Sequence, residues 1–161
     1  MATQSGVSVT ASATGLLLYA GSGQVTQLAW WDRTGKQLSK IGEPIDGIVM
    51  FRLSPDGRQI AIQRATAEVH DLWLLDSDRG IVSRFTADRT LTTQPVWSPD
   101  GRTMVFTHLG SSTLFRKPTN GIGSEQVAFQ RAMNNALPLD WSPDGRWLLT
   151  RETNPDTKYD I

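Results

Sequence analysis

His70 and His108 are the only residues of this 161-residue chain that could act as the base of a catalytic triad, and serine and aspartate are plentiful around them. The pattern does not support a hydrolase. Neither histidine lies in a nucleophile motif, no GxSxG elbow occurs, and a triad depends on a geometry this spacing does not supply. A metal centre is no better founded: two isolated histidines lack ligand spacing, and the absence of cysteine removes thiolate zinc sites, cysteine nucleophiles and disulfides together. Asp76-Ser77-Asp78-Arg79-Gly80 opens like a calcium loop, but Ala87 stands where the loop needs its twelfth, acidic ligand. Asp32-Arg33-Thr34-Gly35 has the same make-up and reads as a turn that uses Asp and Gly for backbone geometry. GSG at 21 to 23 and GIG at 121 to 123 lack the strand-to-helix setting of a phosphate loop. The chain is therefore expected to be noncatalytic, without metal or cofactor.

Charge narrows the partners. Sixteen Lys and Arg balance sixteen Asp and Glu, so no positive field exists to hold a nucleic acid or an anionic membrane. The first positive side chain is Arg33, and the apolar run from Leu16 to Ala20 is far short of a signal sequence or of the roughly 20 residues that span a bilayer. No export or anchoring segment, and no direct membrane insertion, is expected of this chain. Arg58, Arg102 and Arg146 recur at one spacing and would form a positive arc, a candidate anion site set against local pairing with Asp56, Asp100 and Asp144.

That spacing reveals the elements behind it. SPDGR occurs at Ser54, Ser98 and Ser142, 44 residues apart each time, which is the size of one four-stranded propeller blade. Ser, Pro with its φ already set, Asp, and then Gly suit a type I turn closed by a left-handed glycine, so Gly57, Gly101 and Gly145 are expected at positive φ. The strands that follow carry Ile60 to Ile62, Met104 to Phe106 and Trp147 to Leu149, continuous apolar runs that fit strands covered on both faces. Leu53, Trp97 and Trp141, just before each turn, are expected to wedge between neighbouring blades. The fold class is thus all-β, a partial β-propeller of about three and a half four-stranded antiparallel blades. Blade 1 is placed at 6–43, blade 2 at 48–87, blade 3 at 92–131 and an incomplete blade 4 at 136–161. Closed propellers have about 4 to 8 blades, so the ring is not expected to close within this chain; either it is part of a longer protein or copies complete the ring as a homo-oligomer.

In such a fold the first-to-second and third-to-fourth turns share one rim, and the remaining, irregular loops share the other. Binding residues concentrate on variable loops held by a rigid scaffold. Asp46, His70, Asp88, His108 and Asn134 are therefore the candidates for contact with a protein, peptide or small ligand.

WSPDG at 97 to 101 and 141 to 145, DLW at 71 to 73 and RFT at 84 to 86 resemble the TolB-like, WD-type propeller repeats of bacteria, over nearly the whole chain. SVTASATGLLLYAGSG, QLAWWDRTGKQLSKIGEP and the run from FRKPTNG to LDWSPDGRWLL look like the propellers found behind the kinase domain and membrane helix of some bacterial serine/threonine kinases. That resemblance implies an extracytoplasmic or periplasmic scaffold or sensor segment of a receptor-type kinase. Similar propellers also gate prolyl oligopeptidases, which carry a separate hydrolase domain. Neither enzyme domain lies in this chain, which has no phosphate-cradling loop with its lysine, no HRD and no DFG.

Overall fold

A computed structural model describes residues 9–11, 17–20, 25–66, 70–86, 91–130, 136–154 and 158–160. Among these, every regular element is a strand. β1 (Val9–Ala11), β2 (Leu17–Ala20), β3 (Val25–Trp31) and β4 (Gln37–Asp46) form the first sheet, and β5 (Ile48–Leu53), β6 (Gln59–Ala65), β7 (His70–Asp76) and β8 (Val82–Arg84) the second. β9 (Thr92–Trp97), β10 (Thr103–His108), β11 (Thr113–Pro118) and β12 (Gln126–Gln130) form the third, and β13 (Leu137–Trp141), β14 (Leu148–Asn154) and β15 (Lys158–Asp160) a three-stranded fourth. Each sheet is an antiparallel meander in chain order. The first strands of successive sheets approach one another, β1 to β5, β5 to β9 and β9 to β13, so they lie innermost. This is the expected partial propeller.

The repeated turns fold as their residue types dictate. In the first, the Ser54 hydroxyl donates to Asp56 Oδ1 at 2.7 Å and accepts from the Gln59 N–H at 2.9 Å, while the Arg58 N–H donates to the same carboxylate oxygen at 3.0 Å. Ser98 and Ser142 repeat the arrangement with Asp100 and Asp144. Gly57, Gly101 and Gly145 have φ of 75°, 69° and 74°, a region that costs a residue with a Cβ about 1–2 kcal/mol. The two kinds of turn do share a rim: Ser77 donates from its N–H to Arg58 O at 3.0 Å and from its hydroxyl to Gly57 O at 2.8 Å, and Thr119 does the same to Arg102 O and Gly101 O.

The core lies between sheets. Leu28 and Ile41 pack on Phe51, Ile60, Ile62 and Leu75 across the first junction. Ala61, Leu72, Leu74 and Phe85 pack on Trp97, Met104 and Phe106 across the second, and Val105 and Leu114 pack on Ala136, with Trp141 and Leu148 against them, across the third. β6 therefore sends Ile60 and Ile62 toward the sheet before it and Ala61 toward the sheet after it, which explains an apolar run without alternation. The third copy departs from expectation: Leu148 packs, but Trp147, just before β14, and Leu149 are exposed, since among the described residues no further sheet lies on that side.

DLW and RFT form one clasp. Asp71, buried, accepts from Trp73 Nε1 at 2.7 Å and from Arg84 Nε at 2.8 Å, while Thr86 Oγ1 accepts the Leu72 N–H at 3.0 Å. Blade 1 holds Gln27 at the position of Asp71, and its amide instead donates to the carbonyls of Leu28, Ile41 and Gly42.

Candidate functional site

The structure separates the residues expected to bind on the loop rim. Asp46 is not in a loop: after a register shift, β4 pairs with β3 again, Thr26 with Ile45 and Val25 with Asp46, so only Gly47 stands between β4 and β5. Its carboxylate accepts from the Arg64 guanidinium, which also lies 5.6 Å over the Trp73 ring and donates from Nε to Asp46 O at 3.1 Å. His70 opens β7 opposite Ala65. His108 closes β10, half-buried against Phe115 at 4.4 Å between ring centroids, with Nδ1 3.2 Å from Thr92 Oγ1 and Nε2 3.4 Å from Glu125. Asp88 and Asn134 lie outside the described residues. Among the described residues, no group of three His, Asp or Glu is placed to hold a metal ion.

On the other rim, Arg58, Arg102 and Arg146 are exposed, and among the described residues none closes an ion pair. The aspartates beside them are committed to the turns: the Ser54 hydroxyl, then the Arg58 N–H, holds the Asp56 carboxyl below the usual carboxylate range, and Asp100 and Asp144 are lowered in the same way. The Asp76 segment is a turn too, with Asp76 Oδ1 accepting the N–H groups of Asp78 at 3.0 Å and Arg79 at 2.8 Å.

A different place combines space with uncommitted charge. Between the first strands of the second, third and fourth sheets lies a groove of about 340 Å³, lined by Arg52, Leu53, Val96, Trp97, Leu139 and Asp140. Arg52, Val96 and Asp140 share one repeat position, so three blades present a cation, an apolar residue and an anion to one groove. The Trp97 indole N–H donates to Arg52 O at 3.0 Å, which ties the groove wall across two blades as the wedge expectation required. Trp141 packs against the third sheet, but its indole donates to Gly145 O in its own turn at 3.1 Å. The Arg52 guanidinium has no hydrogen-bond or ion-pair partner among the described residues, and Asp140 accepts only the Trp141 N–H, through Oδ1 at 2.8 Å. Sequence reasoning passed over this position, although the windows FRLSPDG, PVWSPDG and LDWSPDG show it when aligned.

A smaller cavity of about 210 Å³ lies between the first two sheets, lined by Pro44, Ile45, Asp46, Ile62, Arg64, Trp73 and Val82. Its counterpart at the next junction is filled by aromatic rings. Phe106 stands at the position of Ile62 and meets Phe85 edge to face at 6.1 Å, and His108 and Phe115 stand where blade 2 has Arg64 and Trp73.

No protein-family model matches the chain, and no curated protein matches it. Solved structures do. TolB from Acinetobacter baumannii is similar with a TM-score of 0.80 at 19% identity, over 100% of this chain and 41% of that one. A chain described as a TolB from Agrobacterium tumefaciens gives 0.68 at 22% identity over 91% of this chain and 53% of that one, and a prolyl endopeptidase gives 0.66 at 19% identity over 92% and 26%. The chain thus spans about two fifths of the Acinetobacter TolB chain it matches. At these identities the likeness concerns architecture, and the chain carries the propeller fold of TolB-like proteins.

Proposed function

We propose that this chain is a noncatalytic propeller segment that binds a protein or peptide through the groove between its innermost strands, as the sensor or scaffold part of a larger bacterial receptor-type serine/threonine kinase. One observation carries the binding reading: Arg52 and Asp140 face the same groove with opposite charges and no ion pair, beside Leu53, Val96 and Trp97. A polypeptide segment with both an acidic and a basic group is the partner whose charges match. The groups that could do chemistry are engaged in holding the fold instead: Asp71 in its clasp, His108 among Thr92, Glu125 and Phe115, and the turn aspartates with their serines. The kinase placement rests on the resemblance of QLAWWDRTGKQLSKIGEP and its flanking segments. The likeness to a prolyl endopeptidase favours one second reading, a propeller that controls access to a peptidase site.

The binding reading is tested by selecting peptides from a displayed library on the immobilised chain and re-measuring them on Arg52→Ala and Asp140→Ala. Peptides with paired acidic and basic residues that lose affinity on both variants support it; peptides that bind both variants as they bind the parent overturn it. The coding sequence around this segment separates the two settings, with a kinase and a membrane helix upstream in one and a hydrolase domain downstream in the other.

A further inference from the structure

The cavity between the first two sheets has a ring-filled counterpart at the next junction, and the residue types explain the difference. Phe85 and Phe106 stand one 44-residue repeat after Ile41 and Ile62, so two phenylalanines occupy the second junction where two isoleucines occupy the first. Phe106 is fully buried, edge to face with Phe85 at 6.1 Å and stacked on Phe115 at 6.2 Å. At the first junction Ile62 leaves that space open, and about 210 Å³ remains beside Pro44, Ile45, Ile62, Trp73 and Val82. A cavity of about 150 Å³ lined by apolar side chains takes a benzene molecule, so one aromatic ring fits here.

The surroundings are fixed by the fold. β4 resumes pairing with β3 beyond Gly42, which brings Ile45 and Asp46 to the cavity, whereas β8, the last strand of the second sheet, ends at Arg84. Trp73 is held by two contacts: its Nε1 donates to Asp71 at 2.7 Å, and the Arg64 guanidinium lies 5.6 Å over its ring. Arg64 donates from Nε to Asp46 O at 3.1 Å and from Nη2 to Asp46 Oδ1, which leaves Arg64 Nη1 and Asp46 Oδ2 without a partner among the described residues. The Arg64 and Asp46 side chains are partly exposed, at 29% and 55%. A donor and an acceptor of opposite charge thus stand side by side at a ring-sized apolar cavity.

We propose that this cavity binds a free aromatic α-amino acid as its zwitterion, with the ring against Ile62 and Trp73, the carboxylate on Arg64 Nη1 and the ammonium on Asp46 Oδ2. An α-amino acid carries its two charges on neighbouring atoms of one carbon, as the site carries its own two on paired side chains. A ligand with a single charge would meet repulsion from one member of that pair, and the zwitterion meets attraction from both. Both contacts are charge-assisted hydrogen bonds, the stronger kind. This site shares no lining residue with the Arg52–Asp140 groove and does not depend on it.

Isothermal titration of the chain with L-phenylalanine from about 10 μM to about 10 mM tests this, and one saturable site is expected. Phenethylamine lacks the carboxylate, 3-phenylpropionate lacks the ammonium and L-leucine lacks the ring; each is expected to bind at least about tenfold more weakly. Ile62→Phe restores at the first junction the ring that Phe106 supplies at the second, and is expected to abolish binding. Because Ile62 is buried and its replacement also tests packing, Arg64→Gln and Asp46→Asn make the same test at partly exposed side chains. Each is expected to lose about tenfold in affinity or more with an unchanged far-UV circular dichroism spectrum. No saturable binding of phenylalanine, any of the three analogues binding as tightly as phenylalanine, or affinity retained in either charge variant overturns the proposal.

Discussion

Gly42 of β4 and Gly80 of the turn before β8 meet backbone to backbone across the first two blades: a Cβ on Gly80 would stand 2.7 Å from Gly42 Cα, and one on Gly42 would stand 3.0 Å from Gly80 O. Both residues have positive φ, 59° and 69°. Gly80→Ala is therefore expected to lower stability by about 2 kcal/mol or more, from the backbone conformation and the collision together. Urea unfolding measures it. Gly35→Ala is the control, since its φ is 84° but a Cβ there meets nothing within 4 Å, and it should cost only the conformational part.

The Asp71 clasp yields a graded series. Asp71→Ala leaves the Trp73 indole and the Arg84 guanidinium without their acceptor and is expected to cost about 2–4 kcal/mol. Asp71→Asn keeps an oxygen for Trp73 and should fall between parent and alanine variant. Equal unfolding midpoints for all three chains would mean the clasp contributes nothing to the fold.

The SPDGR turns make stability depend on pH. The carboxyls of Asp56, Asp100 and Asp144 are held below the ordinary carboxylate value, mainly by the Ser54, Ser98 and Ser142 hydroxyls. A group whose folded pKa is depressed contributes stability that is present above its unfolded pKa, near 3.9 for aspartate, and is lost as pH falls through its folded pKa. The unfolding midpoint should thus fall below about pH 4, and the Ser54→Ala, Ser98→Ala, Ser142→Ala triple variant should show a shallower acid loss. An acid profile unchanged in the triple variant contradicts this origin.

Trp97 offers a fourth test, because its hydrogen bond and its burial can be separated. Trp97→Phe removes the bond to Arg52 O but fills most of the same space, and is expected to cost about 1 kcal/mol; Trp97→Ala should cost about 3–5 kcal/mol. Thermal unfolding should rank parent, Phe and Ala in that order.

What could be read in advance follows the range of the interactions. Ser54, Asp56 and Gly57 complete their bonding within six residues, so the turns, their 44-residue register and the propeller were legible in the residues themselves. Long-range pairing was not. Asp46 looked like a loop residue because nothing local announces that β4 resumes pairing with β3 beyond Gly42. Leu149 matches the pattern of its buried counterparts Ala61 and Val105, since an apolar run states which faces are apolar but not whether a neighbour is there to cover them. His108 read as a loop histidine, and only the folded chain brings Phe115, Thr92 and Glu125 to it. Arg52 and Asp140 were visible in register, but three different residue types at one position do not look like a motif until the first strands converge.

On the proposed reading, the Arg52–Asp140 groove is the binding surface. Isothermal titration of one selected peptide against the parent chain, Arg52→Ala, Asp140→Ala and the Arg58→Ala, Arg102→Ala, Arg146→Ala triple variant tests it most directly. Each groove variant should lose about tenfold in affinity or more, the equivalent of about 1.4 kcal/mol, while the triple variant keeps the parent's affinity. Affinity lost in the triple variant and retained in both groove variants would contradict the claim and move the site to the opposite, arginine-bearing rim.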